Sequence, residues 1–236
     1  SQIGLIATIG MVFQVFFTIL GGPLTDKLGR RRATLIFDVI SWSGATAVWA
    51  IAQDFNYFLL AAILNAAWRV PMTSWTCLLV EDADPKDLVD IYSWVNISGL
   101  LAAFFAPIAG VLISAYTLVP TMRGLYWLAF ALMTIKFVVL NITSTETAQG
   151  VVRMQQTKDQ SLFSMLTEYR GVFGIMLRTP KTLYTLGIML VMSITSLAGG
   201  TFWSILATEK IGIPTENLAL FPFARSIIML VFFFLV

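Results

Sequence analysis

Most of what the sequence says about chemistry comes from one short charged run, Gly22-Pro23-Leu24-Thr25-Asp26-Lys27-Leu28-Gly29-Arg30-Arg31-Arg32. Asp26 precedes the three arginines by four to six residues, near enough to pair with them or to cap a following helix. The chemistry on offer is reversible ion pairing: a charged clasp that holds helix ends together and lets them part. A plainer reading makes the arginines topological anchors only. Glu81 and Asp38 are the candidate acidic partners of this clasp. Bond-making chemistry has little to work with, because the chain has no histidine and a single cysteine, Cys77. That removes imidazole bases and ligands, and with them the usual triads and His-built metal centres. No enzyme, cofactor or metal site is expected.

A second group of polar residues lies inside apolar stretches. Arg69 lies roughly 18 Å from the Tyr57 end of its stretch, at about 1.5 Å per residue. An arginine facing lipid at that depth costs at least about 2.5–3.5 kcal/mol, so it should face the protein interior or a watery cavity. A substrate or coupling residue and a buried structural ion pair both fit. Asn65 at i−4 shares its face, with Met72 and Thr76 continuing the stripe. Trp68 and Gln14 are candidate cavity neighbours. Arg225 lies roughly 10 Å into the last stretch, where snorkelling and a cavity role are both open. Lys136 reads as snorkelling. Asp38, the one carboxylate within a span, is expected to pair with Arg31 or Arg32, with proton coupling as the alternative.

The elements that hold these residues are membrane spans. The chain is 58% hydrophobic and 12% charged, against roughly 45–50% and about 25% in soluble domains. Mean hydropathy is +0.82. A net charge of +2 is too small to suggest a nucleic-acid partner. Seven stretches approach the roughly 20 apolar residues that a crossing helix needs: Ile3–Gly21, Ala33–Ala52, Tyr57–Val80, Ile91–Tyr116, Met122–Thr143, Thr182–Ala207 and Leu218–Val236. The fold class is therefore all-α, a polytopic transmembrane helix bundle. Five spans (1–143) precede a polar linker (144–181), and two more follow it (182–236). Within the linker, Ser161 to Leu177 has the pattern of a helix lying on the membrane surface. If 22–32 is cytoplasmic, ten Lys and Arg fall on that side and only Arg123 and Lys210 opposite. This positive-inside pattern puts loops 22–32, 81–90 and 144–181 in the cytoplasm of a multi-pass cell-membrane protein. Ala102, Ala106 and Gly110 recur every four residues around Pro107, a small-residue row for close helix packing. Ser1 and the uncapped apolar C-terminus read as cuts, so a fragment is expected.

The run at 22–32 resembles the signature loop of the major facilitator superfamily: glycine, leucine two on, aspartate four on, a basic residue, glycine seven on, then basic residues. The resemblance implies that the spans are helices two to eight of a twelve-helix fold, with the linker between its two six-helix halves. Family members often carry an acid at the position of Glu81. Arg69 matches the arginine of the fourth helix without the glycines that follow it. Ala106-Pro107-Ile108-Ala109-Gly110 keeps the proline and one glycine of the antiporter pattern. The implied function is secondary transport of a small solute by rocking of two bundles around a midplane site. Expected partners are the solute, a coupling proton or sodium, and the lipid bilayer, with the protein a monomer. The embedded arginines lean towards an anionic or polar neutral solute. The rival class is a seven-helix receptor or photoreceptor, although the last span has no lysine for a retinal.

Overall fold

The computed structural model describes residues 2–235, without the side chains of residues 168–173, 175, 198, 234 and 235. Twelve α-helices occupy the described residues. They are α1 (Gln2–Leu28), α2 (Arg30–Asp38), α3 (Ala45–Ile51), α4 (Phe55–Ala66), α5 (Arg69–Val80) and α6 (Leu88–Ala102), then α7 (Ala106–Tyr116), α8 (Leu118–Thr143), α9 (Ala148–Thr157), α10 (Leu162–Arg178), α11 (Pro180–Ile205) and α12 (Leu220–Leu235). A π turn, Val39–Gly44, joins α2 to α3 as one continuous span.

Among the described residues, six helical stretches are long and apolar enough to cross a membrane: Gln2–Leu28, Arg30–Ile51, Pro85–Tyr116, Leu118–Thr143, Pro180–Lys210 and Thr215–Phe233. The predicted stretch Tyr57–Val80 is instead divided into α4 and α5, each of 12 residues. The expected count of seven therefore holds only approximately. Pro71 explains the break, since it has no N–H to offer the Ala67 carbonyl and its ring crowds that carbonyl. The turn tightens there, with Ala67 N donating to Leu64 O and Val70 N to Ala67 O. Pro107 acts the same way on Ala103, where the 3-10 turn Ala103–Phe105 separates α6 from α7. A second difference lies at 22–32. Gly22-Pro23 does not end the first helix, which continues to Leu28 with Pro23 inside it. The whole reversal falls on Gly29 at φ 84°, a left-handed conformation that suits glycine.

The described residues form two compact units, 1–83 with 123–183, and 84–122 with 184–236. In the first, α1 packs along α4 and α5, while α2 lies on α5 and α3 on α4. The seams are built from small side chains, as expected where backbones approach closely. Ala33, Ala45 and Ala61 are fully buried, with Ser41 and Ser74. At Gly21 an added Cβ would lie 3.6 Å from the Arg69 carbonyl oxygen. Hydroxyls cross-link the helices: Thr34 with Ser74 at 2.7 Å, and Thr134 donating to Ser43 at 2.8 Å. The linker carries α9 and α10, both packed on α1. The expected surface helix is α10. Val172 and Phe173, part of its apolar pattern, lie outside the described side chains.

In the second unit α12 packs along α6 and α7. Phe104 meets Phe223 edge to face at 5.3 Å, and Gly110 lies directly against the Glu216 carbonyl. The small-residue row is not one seam. Gly110 is buried, Ala106 and Pro107 are half-buried, and Ala102 is exposed. The 3-10 turn between Ala102 and Ala106 rotates them off a common face.

Replacing Gly29 with alanine forces a side chain into a left-handed conformation, at a cost of about 1–3 kcal/mol. The expected outcome is a lower apparent Tm for the detergent-purified protein. An unchanged Tm would mean that the turn tolerates other backbone angles.

Candidate functional site

At one end of the first unit, four segments converge on the Arg30 guanidinium. Arg30 is only 4% exposed at the start of α2. Its Nη1 donates to Asp26 Oδ1 at 3.0 Å, Nη2 to Glu81 Oε1 at 2.9 Å, and Nε to Glu81 Oε2 at 3.0 Å. Asp26 uses its other oxygen for Arg153, accepting from Nη2 at 2.7 Å and Nε at 3.1 Å. The result is an alternating chain of charges, Glu81–Arg30–Asp26–Arg153, contributed by α5, α2, α1 and α9. These are charge-assisted hydrogen bonds, the strong kind.

The linker closes the site. Gly29 has no side chain to cap α2, and Glu146 does that work from 116 residues away, accepting from Arg30 N at 2.8 Å and Arg31 N at 3.1 Å. A carboxylate there both caps the free N–H groups and answers the positive end of the helix dipole. A Cβ at Gly29 would come 2.7 Å from Met154 Sδ, so the linker also requires glycine at this turn. Thr147 donates to Glu81 Oε2 and accepts from Gly150 N at 2.9 Å, capping α9. Lys27 Nζ donates to the Gln160 carbonyl at 2.6 Å.

The three arginines have different roles. Arg31 Nε donates to the Asn141 carbonyl at 2.7 Å, in the last turn of α8, where the helix end favours a cation. Arg32 is exposed. Gly22 is half-buried in α1. Asp38 does not pair with Arg31 or Arg32. It lies two turns further along α2, roughly 10 Å from Arg31, and is buried with Lys136 as the opposite charge acting on it.

Arg69 sits at the first position of α5, just past the break. Its Nε and Nη2 both donate to Gln14 Oε1, at 3.1 and 2.8 Å, and its guanidinium lies 4.2 Å over the Trp68 ring. Asn65 is turned away, donating instead to the Ser41 carbonyl in the π turn at 3.0 Å. The break at 67–68 resets the helix phase, so the i−4 relation to Arg69 fails. Arg225 belongs to the second unit. It lines a cavity of about 1050 Å³ there with Ser196, Gly199, Gly200, Trp203 and Ser226.

Sequence reasoning missed Glu146, Thr147 and Arg153. Thr147-Ala148-Gln149-Gly150 carries a helix-start signal, but nothing in it points to its partners.

Burial divides the network energetically. The Arg30 side chain is 5% exposed and that of Arg153 39%. Arg30→Ala removes the cation shared by two half-buried carboxylates and should cost about 3–5 kcal/mol. Arg153→Ala should cost under about 1 kcal/mol. Denaturation of both variants in detergent checks the order, which equal losses would contradict. Glu81 adds a pH dependence. Burial raises its pKa, but hydrogen bonds from Arg30 and Thr147, with the Arg30 charge, outweigh burial and hold it below the ordinary 4.5. A carboxyl held low stabilises the fold above its unfolded pKa, and that contribution is lost as pH falls through the folded value. Glu81→Gln should therefore lower Tm at neutral pH, with the deficit closing below about pH 4.5. A deficit constant across pH would contradict this.

The chain matches the family model described as Major Facilitator Superfamily over residues 1–236. Searches of curated proteins and of solved structures found no match. The match covers the spans, the charged turn and the linker alike, and on that ground the chain belongs to the Major Facilitator Superfamily of multi-pass membrane transporters.

Proposed function

We propose that the chain belongs to a secondary active transporter that moves a small solute by alternating access of two helix bundles. In this reading residues 1–143 lie in one bundle, 144–181 link the bundles, and 182–236 open the second. The carrying observation is the Glu81–Arg30–Asp26–Arg153 chain, in which three span ends and the linker share one set of ion pairs. Such a set is strong when assembled, and its more exposed Arg153 pair can open while the inner pairs hold, as suits a clasp worked once per cycle. The positive-inside pattern puts the clasp on the cytoplasmic side of the cell membrane. The seam of α7 against Glu216, and of Phe104 against Phe223, joins spans on either side of the linker in sequence, so it suits a joint between bundles.

Arg69 with Gln14 and Trp68 is assigned to the solute path, and Arg225 to a cavity in the later spans. A proton or sodium serves as coupling ion, and the transporter works as a monomer. The receptor alternative falls with the family assignment.

Asp26→Asn removes one charge from the centre of the clasp. In proteoliposomes carrying the complete protein, turnover is expected to fall about tenfold or more, with equilibrium solute binding retained. Unchanged turnover would overturn the clasp role.

A further inference from the structure

Within the first unit, a cavity of about 490 Å³ opens between the α2–α3 span, α5 and α8. Its walls include Trp42, Trp68, Met72 and Trp75, and its charged groups are Asp38 and Lys136. The geometry follows from spacing. Trp68, Met72 and Trp75 fall at i, i+4 and i+7, one stripe along the start of α5. Asp38 and Trp42 lie one turn apart in the neighbouring span, and Lys136 comes from α8.

The two charges act on each other through space, but among the described residues they form no ion pair or hydrogen bond. Asp38 is 8% exposed and makes no hydrogen bond or ion pair among the described residues. The Lys136 ammonium stands 4.5 Å over the Phe137 ring, with no acidic partner within ion-pair distance among the described residues. Ionisable groups at membrane depth without partners mark functional sites by default. The volume suits one small molecule, and small-molecule sites are mostly apolar with a few placed polar groups. The lining carries one negative and one positive group, so its formal charge is zero. A cationic occupant would answer Asp38 and leave Lys136 repelling it, an anion would do the reverse, and an uncharged apolar body would leave both unanswered. An occupant with both charges satisfies both. The indole faces add flat apolar walls that favour an aromatic body.

We infer that this cavity binds a zwitterionic solute with an aromatic body, its ammonium at Asp38 and its carboxylate at Lys136. The inference rests on the transporter reading for the purpose of the site, but the site is tested by binding alone. Trp68 connects the cavity to the proposed path, because the same indole lies beneath the Arg69 guanidinium.

Calorimetric titration of the complete, detergent-purified protein uses three probes with one skeleton: phenylalanine (zwitterion), phenethylamine (cation) and hydrocinnamate (anion). Phenylalanine should bind about tenfold or more tightly than either of the others. Asp38→Asn should erase its advantage over hydrocinnamate, and Lys136→Gln its advantage over phenethylamine. Trp75→Ala should weaken all three. Equal affinities in the unmodified protein, or no binding of any probe, overturn the inference whatever the variants do. Binding with no flux of phenylalanine in proteoliposomes would count against the transporter reading alone. Flux that shows no preference among the probes would count against the cavity alone.

Discussion

A guanidinium held out of water at a helix end must keep all its donors occupied, and Arg30 sets that condition for everything around it. At 4% exposure it cannot turn to solvent, so Asp26 and Glu81 must both remain in place. That requirement fixes the ends of α1, α2 and α5 relative to one another. It also explains the single-residue turn at Gly29. An arginine at the first position of α2 can reach Asp26 four residues back because α1 runs to Leu28 and reverses at once. A longer loop would loosen the pair.

The linker then acts as part of the fold rather than as a tether. Glu146 caps α2 at the point where Arg30 begins it, and Thr147 holds Glu81 while it caps α9. Each of these residues serves two elements at once. Arg153 extends the charge alternation outward to a position where water screens it, so the outer pair can exchange while the inner pairs hold. A graded network of this kind has an inner part that specifies geometry and an outer part free to respond.

How much of this was legible varied with the range of the interaction. The pairing of Asp26 with Arg30 could be read directly, because i,i+4 charges on continuous helix are neighbours. Glu81 was found from its place at a span end. Glu146 and Arg153 were not, since their partners lie 116 and 127 residues away and no local pattern encodes that distance. The i−4 relation of Asn65 to Arg69 requires an uninterrupted helix, and Pro71 breaks the helix at Ala67. That break is legible in the sequence, because the proline itself is. Asp38 was matched to the nearest arginines in sequence, while the helix rise carries it two turns away and towards α8.

The two helix breaks and the two kinds of charge site belong together. Pro71 and Pro107 each interrupt a span, but only the first has an arginine at the restart, where Arg69 sits against Gln14 and Trp68. At the charged end every acid is matched, so the network stabilises but has no capacity left to bind anything. At membrane depth Asp38 and Lys136 act on each other only at a distance and form no ion pair among the described residues, an arrangement that is costly without an occupant or water. The fold thus completes its electrostatics where it must hold its shape, and leaves them incomplete beside a tryptophan-lined cavity. For a protein that releases what it binds, unanswered charge is useful in the second place and harmful in the first. The difference between the two sites is consistent with a division of labour between holding and binding.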